Sequence, residues 1–351
     1  MTTSNPVNTT VSLETTNLPL SALGLFRKYF GEYCILIINL VGLIGNLLTV
    51  YVFVRHRKRT GPVAIYFVCL ALSDSGNLVM GLQTWFHNGL YYITDGAVDL
   101  PSAVSDTACK IRVFIWNVFV AMSGYIIVAF SLERVIAIWA PLKAATIITN
   151  FRRNVVLTIL LAYASLSSSL FFFTKKLGQI KYRNRIVTAC YNVPGTEVVH
   201  LYSRVIQLFN LIVPCILIFL FNVLIIVGIR HAQDMAKSTK AKLKDKTTDS
   251  KIVLNLLVIS LVYVITIGLY TIFTLIRIAI QNGLLRISAA NRDIFRDWEN
   301  ITTNVIVFNY SGNFIMYALS LDFYRQTIKE LTCFFCYNRK KKSCSSNVVT
   351  I

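Results

Sequence analysis

CKIRVFIWNVFVAMSGYIIVAFSLER, residues 109–134, decides how the rest of this chain is read. At about 1.5 Å per residue a helix of this length crosses the roughly 30 Å hydrocarbon core of a bilayer. It carries Cys109 at one end, Ser123 in the middle and the charged pair Glu133-Arg134 at the other. Charges at the end of an apolar span are expensive to bury, so Glu133 and Arg134 become functional candidates; the competing reading is an arginine that snorkels to the membrane surface.

The rest of the chain conforms to this stretch. Charged residues make up only 15% of 351 positions, and hydrophobic residues 55%, which excludes an ordinary soluble domain. Apolar segments recur at about 33–54, 63–87, 110–138, 155–173, 204–229, 252–276 and 301–320. They lack the alternation of a barrel strand, so the expected fold is an all-α membrane protein, a seven-helix bundle. The boundaries read as an extracellular N-terminal segment (1–32), the bundle (33–320), an amphipathic surface helix (321–336) and a cytoplasmic tail (337–351).

Charge sets the orientation. RHRKR (55–59), the lysines between Lys237 and Lys251, and RKKK (339–342) fall on one side of the alternating spans, which is therefore cytosolic. The net charge of +19 is thus mainly a topology signal, and contact with membrane lipids outranks nucleic-acid binding. No basic start followed by an apolar core suggests a cleavable signal peptide; the first span is expected to export the N-terminus of a multi-pass protein. Asn8 and Asn300, each in an Asn-x-Thr sequon assigned outside, are glycosylation candidates.

Polar residues inside the spans mark the chemistry. Asn46 is alone among apolar neighbours, Asp74 lies near mid-membrane, and Ser123 comes at similar depth. Asn309 and Asn313, four apart, share a helix face. Together these form a polar cluster whose bland alternative is a satisfied hydrogen-bond hub with no ligand. Among the cysteines, only Cys109 and Cys190 lie clearly outside the lipid on the oxidising side, so they are the expected disulfide. Pro214 should loosen the fifth helix. Cys333 and Cys336, at the end of the amphipathic segment, are palmitoylation candidates.

These motifs together resemble the rhodopsin-like (class A) G-protein-coupled receptor family. The resemblance is carried by Gly45-Asn46, Leu70-Ala71-Leu72-Ser73-Asp74, Cys109 with Glu133-Arg134-Val135, Pro214, and Asn309 followed by Asn313-Phe314-Ile315-Met316-Tyr317 and Phe323-Tyr324-Arg325. Departures are equally visible. The fourth span has no tryptophan, and Asn222 stands where a tyrosine is usual. The sixth span lacks Trp-x-Pro, with Ile267 and Leu269 in its place if Tyr263 takes the family's phenylalanine position, and Phe314 replaces a proline.

The resemblance implies a receptor at the plasma membrane with its N-terminus outside, no catalytic residues and no cofactor. It implies a sodium ion as an allosteric ligand at Asp74, with Asn46, Ser123, Asn309 and Asn313 around it. It implies a cytosolic gate formed by Glu133, Arg134, Asp249, Asn222 and Tyr317, with Asp249 opposite Arg134 and a heterotrimeric G protein as partner. Arrestin follows as a second cytosolic partner, and the terminal Val-Thr-Ile fits a PDZ domain. Trp116 in place of an aspartate argues against an amine ligand, and no lysine between Ile301 and Ser320 argues against retinal. Gln83, Trp85, Trp116, Asn117, Gln207, Asn210, Tyr270 and Thr274, with Glu299 at the rim, are the expected pocket, each with ordinary packing as its alternative.

A long basic loop around Cys190 suggests a peptide; its Lys175, Lys176, Lys181, Arg183 and Arg185 favour an acidic ligand, whereas an amidated Arg-Phe peptide would want Glu299, Asp297 or Glu32. The Asn-Phe-x-x-Tyr form is similar to that of some invertebrate neuropeptide receptors of the FMRFamide and myosuppressin type. The competing reading is an atypical seven-helix chemoreceptor, or a ligand-binding scaffold that does not signal.

Overall fold

A computed structural model of the chain describes residues 22–94, 103–182, 185–193, 195, 197–238 and 247–333. Its helices are α1 (Ile35–Arg55), α2 (Ala64–Ile93), α3 (Asp106–Trp139), α4 (Asn150–Ser168), α5 (Glu197–Ser238) and α6 (Thr247–Gln281). Then come α7 (Ala289–Ser311), its continuation α8 (Asn313–Ser320) and α9 over 322–333. A helical turn at Ala22–Tyr29 and a π-helical turn at Phe30–Cys34 lead into α1, so helix begins well before the expected start of the first span.

Six of the helices are long and apolar enough to cross a bilayer. The seventh crossing is composite: α7 and α8 meet at Gly312, where the Phe308 carbonyl leaves no room for a Cβ. Apolar side chains such as Ile37, Ile44, Phe219, Leu261 and Ile272 face outward, as lipid requires.

Helix α3 is the hub, packing against α2, α4, α5 and α6. Two close approaches explain small residues in the sequence. A Cβ at Gly124 would overlap the Tyr263 hydroxyl of α6, and one at Gly45 would overlap the Phe314 ring. The phenylalanine that replaces the family's proline is thus packed onto a glycine of α1. Helix α5 runs unbroken through Pro214, and α6, with no proline, is continuous for its whole length.

Outside the bundle, β1 (Lys175–Tyr182) and β2 (Arg185–Asn192) form an antiparallel hairpin with Leu177 opposite Cys190. At the inner end α9 turns one face inward: Phe323, Tyr324 and Thr327 are buried, while Asp322, Arg325 and Lys329 are exposed. This is the amphipathic helix the sequence suggests, closing an aromatic cluster of Phe53, Phe67, Tyr317 and Tyr324.

Candidate functional site

Helix α3 carries three levels. At its outer end Cys109 is disulfide-bonded to Cys190, with their Cα atoms 5.9 Å apart. One turn away, Asp106 accepts the Leu177 backbone N–H at 2.9 Å, so the hairpin is fastened to α3 twice.

At mid-depth Asp74 is fully buried. Its two oxygens are divided between helices: the Ser123 hydroxyl donates to Oδ1 at 2.7 Å and the Asn313 amide to Oδ2 at 2.8 Å. Three helices are thereby joined at one carboxylate. Asn46 instead donates to the Tyr310 carbonyl at 2.9 Å, tying α1 to α7. Asn309 is buried beside the cluster, with its Nδ2 unbonded. Asn77, one turn beyond Asp74, was not among the expected members, yet both its amide atoms are buried without a partner, as is Asn46 Oδ1.

The carboxylate oxygens of Asp74 and the unpartnered amide oxygens of Asn46 and Asn77 are the ligand type a small hard cation takes, so these residues fit sodium, whereas the amide nitrogens of Asn77 and Asn309 are donors and would not bind it.

At the inner end the expected grouping is redrawn. Glu133 is bound by the Arg153 guanidinium of α4, whose Nε donates at 3.0 and 2.9 Å, and by the Tyr66 hydroxyl at 2.6 Å. Arg153 carried no signal in the sequence reading beyond being a basic residue near a span end. Arg134 lies with its guanidinium carbon 5.3 Å from the Phe130 ring centroid. Asp249 falls in the first turn of α6, and its side chain lies outside the described residues. Asn222 accepts the Ser260 hydroxyl at 2.9 Å, joining α5 to α6. Tyr317 is buried between Phe53 and Phe67.

Two contacts that the sequence did not suggest hold the inner end of α6. Ser320 donates to Asn255 at 2.7 Å, and Lys251 pairs with Asp322 at 2.8 Å. The Lys251 and Arg325 cations beside Asp322 hold that carboxyl below its ordinary range.

The outer mouth contains a cavity of about 300 Å³ between the hairpin base, α5 and α6. Gln207 and Thr274 line it, as expected. Asn210 does not: it accepts the Tyr163 hydroxyl at 2.8 Å, a tie between α4 and α5. Asn117 bonds its own helix at Val113. Glu299 pairs with Arg277 at 3.0 Å. Gln83 and Trp116 are exposed, and Trp85 and Tyr270 are half-buried; none of the four lines the cavity.

Of the modification candidates, Asn300 stands inside α7, its amide donating to Arg296, and Cys333 is an exposed thiol. Asn8, Cys336 and the terminal Val-Thr-Ile lie outside the described residues.

The chain is 29% identical over 172 residues to the mouse (Mus musculus) thyrotropin-releasing hormone receptor, covering 49% of this chain and 42% of that protein. It is 34% identical over 122 residues to the neuromedin U receptor homolog nmur-2 of Caenorhabditis elegans, 35% of this chain and 29% of that one. A Gq-coupled rhodopsin of Mizuhopecten yessoensis matches at 28% over 221 residues, 62% of this chain and 42% of the relative. The matched region thus spans well under two thirds of each relative. The family model of the seven-transmembrane receptors of the rhodopsin family matches residues 45–317, from the Gly45 that receives Phe314 to the Tyr317 of the inner aromatic cluster, and this chain belongs to that family.

Proposed function

We propose that this chain is a plasma-membrane receptor for an extracellular peptide, and that it activates a heterotrimeric G protein from its cytosolic face. The observation that carries the reading is the arrangement along α3. One helix carries the hairpin's disulfide at Cys109, the hydrogen bond to Asp74 at Ser123 and the Glu133-Arg134 pair. A ligand that moves α3 at the mouth therefore acts on the same element that carries the inner arginine, and one that moves α5 or α6 acts on helices packed against it.

Support for a peptide comes from the fastened hairpin beside a mouth cavity, and from relatives named as receptors for thyrotropin-releasing hormone and neuromedin U. A retinal ligand does not fit, since residues 301–320 contain no lysine for a Schiff base. Agonist acts by binding the open arrangement better than the closed one. On opening, α6 leaves Ser320 and Asp322, and a crevice forms beside Arg134.

The mid-depth residues Asp74, Ser123, Asn309 and Asn313 would hold sodium, which supplies a positive charge that favours the closed arrangement. Asp74 itself orients α2, α3 and α8 through its two acceptor oxygens. Arrestin and a PDZ protein are further cytosolic partners of this reading, and Cys333 is a site for palmitate on the inner leaflet.

The test is nucleotide exchange. Receptor in lipid nanodiscs, given pooled peptides, should accelerate GDP release from a purified heterotrimer, and Arg134→Ala should abolish this while leaving peptide binding intact. Peptide binding without exchange in the wild type would instead favour the scaffold reading, to which the uninterrupted α6 lends weight. Sodium should lower agonist affinity in the wild type and not in Asp74→Asn; a wild type indifferent to sodium would remove the ion from the mechanism.

A further inference from the structure

The mouth cavity has a charge that ordinary packing does not explain. Helical spacing lines up Arg204, Gln207, Leu208 and Leu211 of α5 on one wall and Thr274, Arg277, Ile278 and Gln281 of α6 on the other. Thr174, Lys175 and Asn192 close it at the base of the hairpin. Arg112 of α3 acts on Lys175 electrostatically, as does Arg204. Four cations therefore converge near one space, and the carboxylate among its neighbours, Glu299, is already paired with Arg277.

Lys175 and Arg204 find only neutral acceptors among the described residues: Asn192 Oδ1 at 2.6 Å and Gln281 Oε1 at 3.4 Å. Burial, with Arg204 and Arg112 alongside, holds the Lys175 ammonium below its ordinary pKa. Two hydroxyls on the cavity wall are equally unspent. Thr174 is fully buried and Thr274 is 7% exposed, and each Oγ1 lacks a partner. The Nε of Arg112 is likewise buried and unbonded. Arg204 and Arg277 reach solvent, but Lys175 is half-buried and the two threonine hydroxyls and Arg112 Nε are shut away from it, so an anion in the cavity meets donors that water does not satisfy.

We propose that this cavity seats a carboxylate of the extracellular ligand, held by Lys175 and Arg204 with the Thr174 and Thr274 hydroxyls as neutral donors. The inference rests on the peptide-receptor reading above and sharpens it, because it states which end of a peptide enters the bundle. The carboxylate belongs either to an Asp or Glu side chain or to a free C-terminus. Guanidinium and ammonium donors to a carboxylate make the stronger, charge-assisted class of hydrogen bond, and about 300 Å³ admits one or two side chains rather than a folded ligand. A cationic peptide end would meet Lys175 and Arg204 with no carboxylate among the lining residues to offset them.

Full-length receptor in nanodiscs is incubated with four fluorescent heptapeptide pools: acidic with free C-termini, acidic with amidated C-termini, neutral amidated, and basic amidated. Succinate and N-acetylglutamate serve as small carboxylate probes. The acidic pools should bind at least tenfold better than the basic pool. Lys175→Gln with Arg204→Gln should remove that preference, whereas Arg296→Gln, on an exposed pair with Asp293 away from the cavity, should keep it. Arg204→Lys should retain most of the binding, and Arg204→Glu should shift preference towards the basic pool, a gain that misfolding cannot mimic.

Equal binding of the two acidic pools assigns a side-chain carboxylate, and loss on amidation assigns the C-terminus. Neutral or basic pools binding as well as the acidic ones would overturn the carboxylate site while leaving a peptide receptor intact. Small carboxylates binding when no peptide pool does would keep the site and overturn the peptide reading. No binding of any probe would overturn both.

Discussion

The inner and outer ends of the bundle use charge in opposite ways. At the inner end Glu133 is saturated by Arg153 and Tyr66, Lys251 by Asp322, and Arg55 by Glu330. At the outer end Arg277 is paired with Glu299, but Lys175 and Arg204 beside the same cavity have only neutral acceptors among the described residues. Charges that satisfy one another hold helices in place; charges left over wait for something from outside.

The sharpest way to break this contrast is to remove one partner of the inner pair. Arg153→Ala leaves Glu133 buried and unmatched, a change that costs about 3–5 kcal/mol in comparable settings. A large fall in the melting temperature of purified receptor is expected, partly restored by adding Glu133→Gln as a second change. An unaltered melting temperature would mean the pair is decorative.

Next is the hairpin's anchor. Cys190→Ser should cost about 2–4 kcal/mol and, by releasing the base of the cavity, weaken ligand binding more than it weakens the inner end. Equal loss at both ends, followed by hydrogen exchange in α9 and in the hairpin, would show that the two regions are not separable.

Smaller effects map the connection between them. Gly124→Ala forces a methyl group against the Tyr263 hydroxyl at the α3–α6 crossing and should cost roughly 1–3 kcal/mol. Thr49→Val removes the 3.0 Å contact with the Tyr324 hydroxyl and should cost about 1 kcal/mol, read as a modest drop in melting temperature.

The smallest effect falls on the exposed Lys251–Asp322 tie. Its folded carboxyl titrates below the ordinary range, so its contribution is complete above the unfolded pKa and is lost only as pH falls through the lower folded value. Melting of Asp322→Asn should fall slightly below wild type at neutral pH and converge with it in acid, where the wild-type carboxylate is protonated. Identical melting at neutral pH would show that this exposed pair contributes nothing to the fold, and a difference that persists in acid would show that its effect is not ionic.

Much of this was legible in the sequence, because hydropathy reports spans directly and oxidising-side cysteines are few. The polar cluster was legible too: a carboxylate at mid-membrane must find donors, and Ser123 and Asn313 supply them. What stayed hidden was which neighbour each polar group chooses. Asn210 reads like a pocket residue, yet Tyr163 claims it, because depth and rotation on a helix fix its partner rather than its chemistry. Arg153 reads as one more basic residue at a span end, and only the approach of α4 to α3 makes it the counter-ion of Glu133. The cationic cavity is assembled from α5, α6 and the hairpin, whose residues lie up to about a hundred positions apart. Only Lys175 stands in a local basic pattern that favours an acidic ligand; nothing local marks Arg204 or the α6 wall.

The most direct test of the whole account is a single distance. Spin labels on the inner ends of α3 and α6, in receptor reconstituted with a heterotrimeric G protein, report whether a peptide that binds at the mouth moves α6 outward. The account predicts a longer-distance population on adding the peptide, larger still with G protein, and lost with its GDP release in Arg134→Ala. Peptide bound at the mouth with an unchanged α3–α6 distance and no nucleotide exchange would contradict it.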